Sequence, residues 1–161
     1  MKEVFQQYAT YNAWANEKIA ETIKALPSNL IDKTVESSFS SLRLTILHMW
    51  EADHIWYQRL NLTPNAVSFS KDKGLPGDFI LDKWKQQSLQ LRQWVEDAEE
   101  VSLTNVFAYN NTKGEQFKQP VFQVLLHIFN HATYHRGQLV TILRQLGVQE
   151  IPATDFIVWS R

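Results

Sequence analysis

All five histidines of this chain fall in two short stretches, His48 and His54 in one and His127, His131 and His135 in the other. Apolar residues recur at helical spacing through both stretches, so the imidazoles belong to helix faces. Side chains four residues apart are stacked on a helix, which lets His131 and His135 offer two nitrogens to one ion, as could His127 and His131. A single helix supplies only two good ligands, because over eight residues the direction drifts by about 80° and separates His127 from His135. The third ligand has to come from another helix. His48 is the stronger candidate, since it flanks an apolar stripe among Leu44, Ala52 and Ile55, whereas His54 is rotated from it by about 120° toward Arg43 and Leu47. Three histidines with an open position are the ligand set of a catalytic divalent metal such as zinc, nickel or ferrous iron. An i, i+4 histidine pair alone equally describes a surface coincidence or a hydrogen-bonded core pair. Here Val124, Ile128 and Ile142 on the same face favour burial and put ligation on an even footing with those readings. His127 is left as a supporting residue. Glu51 turns toward the outer face of its helix, where solvation suits it better than ligation.

Four elements must position these groups. Phe5, Tyr8, Ala9, Ile19, Ile23 and Leu26 mark a first helix closed by Pro27. Ser40 or Ser41 can cap a second, whose stripe runs through Leu42, Ile46, Met49, Trp56 and Leu60 and is followed by Pro64. A third amphipathic segment lies near Ile80 to Ala98. The fourth opens with Pro120 in its first turn and stops at Gly147. Two longer connections, around Asn61–Asp78 and Val101–Lys118, point to an all-α four-helix bundle with long crossover connections rather than a simple up-down-up-down arrangement. The second connection carries Asn-Thr-Lys-Gly between Tyr109 and Phe117, which suits either a short hairpin or an ordered loop. The 161 residues are expected to form one domain, residues 1–161, that buries roughly 70% of its unfolded surface.

Four polar residues interrupt the apolar stripes: Asn12 and Asn16 in the first helix, Asp53 in the second and Arg136 in the fourth. Buried groups of this kind need partners. The expectation is that Asp53 and Arg136 meet directly or through one of the asparagines, locking helix register so that the histidines converge. The chain has no cysteine, which excludes disulfides, protein thiol nucleophiles and cysteine-based metal sites. A net charge of −1 argues against a broad nucleic-acid surface, and the tryptophans lack the interleaved basic residues of a base-stacking platform. Neither a signal peptide nor a membrane-spanning apolar run is legible, so a cytoplasmic location is expected. In that setting the glycosylation-type tripeptides at Asn61 and Asn110 carry little meaning.

The run Tyr11-Asn12-Ala13-Trp14-Ala15-Asn16, the stretch Ser37–Ser41 leading to Leu47-His48-Met49-Trp50-Glu51-Ala52-Asp53, and above all His127–Gln138 with its His-Ala-Thr-Tyr-His-Arg-Gly-Gln core, resemble the DinB family of DNA-damage-inducible bacterial proteins. The resemblance covers nearly the whole chain. It implies a crossed four-helix bundle and a three-histidine site for zinc or nickel, carried over onto His48, His131 and His135, the triad that helix geometry favours. It also implies kinship with mycothiol- and bacillithiol-dependent S-transferases, in which a metal activates a low-molecular-weight thiol, and it implies homodimers. The expected function is therefore a metal-dependent thiol S-transferase or hydrolase in stress or detoxification, acting on a small molecule. The alternative is a non-catalytic metal- or ligand-binding stress protein. No residue is singled out as catalytic.

Overall fold

The computed structural model describes residues 1–63, 66–69, 74–111 and 113–161. Its main elements are four helices: α1 (Lys2–Lys24), α2 (Leu42–Leu60), α3 (Gly77–Asp97) and α4 (Val121–Gln145). The strands β1 (Val106–Asn110) and β2 (Gln116–Pro120) pair antiparallel just before α4, with Tyr109 opposite Phe117, so the segment with two possible readings is a hairpin. A four-residue helix, α5 (Phe156–Trp159), follows α4. Phe156 of α5 stacks on Tyr8 of α1 at a centroid distance of 5.7 Å, and the Tyr11 hydroxyl donates to the Thr154 carbonyl at 2.7 Å. No helix among the described residues is long and apolar enough to cross a membrane.

Local chemistry sets the helix ends. Ser41 is the cap of α2, its hydroxyl accepting from the Leu44 N–H at 3.2 Å. At the end of α4, Gly147 adopts φ +87° while Val148 N–H reaches the Leu143 carbonyl and Gly147 N–H the Arg144 carbonyl. That two-bond closure favours glycine, because a Cβ is crowded in the left-handed region. The same closure ends α2, with Thr63 N–H on Gln58 and Leu62 N–H on Arg59, but here Leu62 holds the left-handed position at φ 54°. Pro64, expected just beyond, lies outside the described residues, as does Thr112.

Helix α1 packs against α3 and α4, and α2 packs against the same two. Helices α1 and α2 therefore occupy opposite corners, as do α3 and α4, and the bundle is crossed. Residues 98–120 make one diagonal step, as the long connection around Val101–Lys118 suggests. The other is made by residues 25–41, not by the segment around Asn61–Asp78, which joins the neighbours α2 and α3. A stop signal at Pro27 and a cap at Ser41 mark helix ends, but they carry no information about the corner to which the chain returns.

The core consists of two apolar halves, one around Ile19, Ile46, Trp84 and Leu139 and one around Phe5, Leu60, Leu91 and Phe129. Between them each of the four long helices contributes buried polar groups: Asn12 and Asn16, Asp53, Gln87 and Ser88, and Arg136. The Arg136 Nη1 donates to Asn12 Oδ1 at 2.6 Å and Asn16 Oδ1 at 2.9 Å, and Nη2 donates to the Tyr11 and Thr133 hydroxyls. Asn16 passes the network on by donating to Ser88 Oγ at 2.8 Å. The expected link between Arg136 and the asparagines is present, but Asp53 shares none of these hydrogen bonds, and its Oδ2 accepts from no described residue.

Burial pushes the Asp53 carboxyl up to about 7, opposed by the nearby Arg136 charge. Between its ordinary value and 7 the folded chain thus holds a proton that the unfolded chain has released, and stability falls as pH rises through that window. Asp53→Asn removes this dependence. Its stability relative to the parent is expected to improve by roughly 2–3 kcal/mol between pH 5 and pH 8, read from urea unfolding at both values; an unchanged difference would place the charged carboxylate comfortably in the core.

Candidate metal centre

His131 and His135 lie one turn apart on α4, facing His48 of α2 across a helix pair in direct contact. The polar belt contributes to this alignment: Arg136, next to His135, is tied to α1 and so sets the rotation of α4. Ligand nitrogens of His48, His131 and His135 all lie within 4.8 Å of one another, and the Nε2 atoms of His48 and His131 are 3.1 Å apart. Two imidazole nitrogens each about 2.1 Å from one tetrahedral ion are separated by about 3.4 Å, so the observed spacing suits a shared ion. The donor set is three imidazoles with neither thiolate nor carboxylate, which fits zinc, nickel or iron(II) chemistry. The residues present therefore fit a divalent metal.

Protonation favours ligation. Burial holds His48, His131 and His135 below the ordinary imidazole value, and His131, which also faces the other three histidines of the cluster and its edge, is pulled down to about 4. At neutral pH the rings are uncharged and keep a lone pair for a cation. His135 is oriented further: Gln138 Oε1 can only accept, so the His135 Nδ1 donates to it at 2.7 Å and Nε2 is left for the cluster. Gln138 in turn donates to Ser38 Oγ at 3.2 Å. Phe39 stacks on His48 with centroids 4.5 Å apart. This support from Ser38, Phe39 and Gln138 was not assigned from sequence. Gln138 has a legible signal, lying one helical turn after His135; the contributions of Ser38 and Phe39 depend on how residues 25–41 fold back over the bundle.

The other two histidines are not in the ligand cluster, although the His127 ring lies 5.8 Å from that of His131. His54 Nδ1 pairs with Gln87 Oε1 at 3.1 Å, and His127 is exposed, its ring packed at 5.2 Å against Trp56. Glu51 is not in the ligand cluster, yet it is not simply solvated. It accepts from Ser68 Oγ, opposes the lowering of His48, and lines a cavity of about 330 Å³ with His48, Ala52, Ile55, Trp56 and Arg59. One side of the triad thus adjoins a space in which a small molecule fits.

A diagonally crossed four-helix bundle whose second and fourth helices share a histidine triad defines a helical protein equipped to hold a divalent metal. The family model described as DinB family matches residues 1–159, and the chain belongs to that family. It is 27% identical over 157 residues to Protein DinB of Bacillus subtilis (strain 168), a match covering 91% of this chain and 87% of that protein. Among solved structures, it is similar to a DinB-like protein from Bacillus cereus ATCC 10987, with a TM-score of 0.72, 21% identity and coverage of 94% and 95% of the two chains. A DinB-like protein from Bacillus subtilis gives a TM-score of 0.68 at 13% identity, covering 94% and 97%.

Proposed function

We propose that this protein is a divalent-metal-dependent enzyme that transfers a low-molecular-weight thiol to a small electrophile, with His48, His131 and His135 as the metal ligands and zinc or nickel as the metal. The observation that carries this reading is the position of the triad: three uncharged imidazoles converge on one point, and His48 also faces a cavity. A structural site would be closed by a fourth protein ligand. When bound, the metal would lower the pKa of a thiol or water and so supply a nucleophile near neutral pH. The chain's own residues hold the ligands in place through Gln138 and Phe39 and line the approach with Glu51, Ala52, Ile55 and Trp56. A protein without cysteine suits this scheme, because the thiol arrives as cosubstrate.

The same reading treats residues 1–161 as one domain acting in the cytoplasm as a homodimer.

The test uses untagged protein prepared without chelator, since a tag would add histidine ligands. Formation of a fluorescent adduct from glutathione or cysteine and monochlorobimane is followed with and without added zinc or nickel. A metal-dependent rate about a hundredfold above background, lost in His48→Ala, is expected. Protein that holds metal stoichiometrically but accelerates adduct formation with neither thiol would overturn the transferase reading in favour of a non-catalytic metal-binding protein.

A further inference from the structure

The cavity beside His48 does not end at Arg59. A second cavity of about 590 Å³ begins there, shares Ile55, Arg59 and Ser68 with the first, and extends under the hairpin past Tyr109 and Asn110. Arg59 and Glu51 are the charged residues among the described lining of this trough, and Glu51 lies at the triad end. Arg59 forms no ion pair among the described residues, although it is partly buried and burial lowers its pKa. A half-buried cation with no counter-ion among the described residues, lining a cavity, is an unusual thing for a fold to retain.

Its geometry is set in advance. The guanidinium packs against two mutually contacting aromatic rings, 4.5 Å from the Trp56 centroid and 4.9 Å from that of Tyr109, and Nη2 donates to the Asn110 carbonyl at 2.7 Å. Among the described residues Nη1 makes no hydrogen bond, and Nε is buried without a partner. An arginine clamped in this way loses little further freedom when it binds an anion, and its planar fork matches a carboxylate. A single cation balances a single negative charge. Between the ends, Ala52, Ile55 and Trp56 form an apolar floor.

We propose that the trough binds an elongated small molecule with one carboxylate, the carboxylate seated on Arg59 and the other end lying beside the histidine triad. Arg59 is thus a specificity-determining residue, and the substrate class is narrowed to monoanionic carboxylates with an apolar middle. The triad end of this assignment rests on the function proposed above; the Arg59 end does not. His48 and Arg59 are eleven residues apart on one helix, about 16 Å along its axis, and an arginine side chain leans back toward the N-terminus. The molecule should therefore span on the order of 10 Å.

Calorimetric titration of the full chain, metal-free and zinc-loaded, with octanoate, 1-octanol and 8-mercaptooctanoate tests both ends separately. Octanoate is expected to bind at least about tenfold more tightly than octanol in both forms. Arg59→Gln should abolish that preference with zinc content and helical circular dichroism unchanged, and Arg59→Lys should keep part of it. Equal binding of octanoate and octanol, no saturable octanoate binding, or a preference that survives in Arg59→Gln would overturn the proposal and leave Arg59 as a staple between α2 and the hairpin. The thiol of 8-mercaptooctanoate should add affinity over octanoate in the zinc-loaded form alone. If it adds none while the octanoate preference stands, the open face of the triad is overturned and the carboxylate seat is supported.

Discussion

Replacing His131 by alanine is expected to yield a folded protein that emerges from chelator-free purification without a bound divalent ion, whereas the parent is expected to carry about one per chain. His131 is the shared member of the triad, one turn from His135 on α4 and 3.1 Å from His48 across the helix pair. Its loss leaves two nitrogens, too few to compete with solvent for zinc or nickel. Elemental analysis of both proteins, before and after reconstitution, gives the result directly. Equal metal content in the two would remove the triad as the site. The parent should also release its ion on acidification. Each imidazole must be unprotonated to ligate, and the three rings stay uncharged at neutral pH because burial lowers their pKa values. The metal-free protein should show the matching trend. Unfolded histidines bind protons near their ordinary value while half-buried His131 resists until about 4. The unfolded state therefore binds more protons in that window, and stability falls as pH drops through it.

The second large effect is expected at Arg136. This side chain is 2% exposed and donates to Asn12, Asn16, Tyr11 and Thr133. Methionine in its place fills similar volume but donates nothing, so Asn12 Oδ1 and Asn16 Oδ1 lose their donor and buried Asp53 loses its one opposing charge. Breaking a buried charged network by removing one member costs about 3–5 kcal/mol, which should appear as a lowered urea midpoint with an unchanged slope. A loss under about 1 kcal/mol would mean that the asparagines find other partners. Replacing Asn12 and Asn16 by leucine together with Arg136→Met should recover much of the loss, since a well-packed apolar layer can equal a satisfied polar one. The triple variant isolates the register role. If the belt sets the rotation of α4, the variant should bind metal more weakly despite its restored stability.

The polar interruptions illustrate how far pattern reasoning reaches. Asn12, Asn16, Asp53 and Arg136 stand out because each breaks a 3.6-residue apolar period, and burial at those positions follows from the period alone. Their pairing does not follow. The pairing expected between Asp53 and Arg136 proves to be electrostatic only, with Asn12 and Asn16 taking the hydrogen bonds, because distance across a core depends on which helices become neighbours. Arg59 shows the same limit. Nothing in the helical period marks it, and its place against Trp56 and Tyr109 depends on a hairpin fifty residues away folding back onto α2.

What the sequence by itself determined is local and periodic: the four helices, a cap for α2 at Ser40 or Ser41, the stop at Gly147, the stacking of His131 on His135, and the choice of His48 over His54. These rest on rotation per residue and on backbone chemistry within a turn or two, which neighbouring residues specify completely. The motifs also pointed to the DinB family, to which the chain belongs. Only the tertiary structure decided that residues 25–41 make a diagonal crossing, that Phe39 and Gln138 hold the histidines, that Glu51 borders a cavity and that Arg59 lines its far end. Those facts depend on which helix faces which, and that is settled by how the whole set of stripes and its buried polar belt can be satisfied at once.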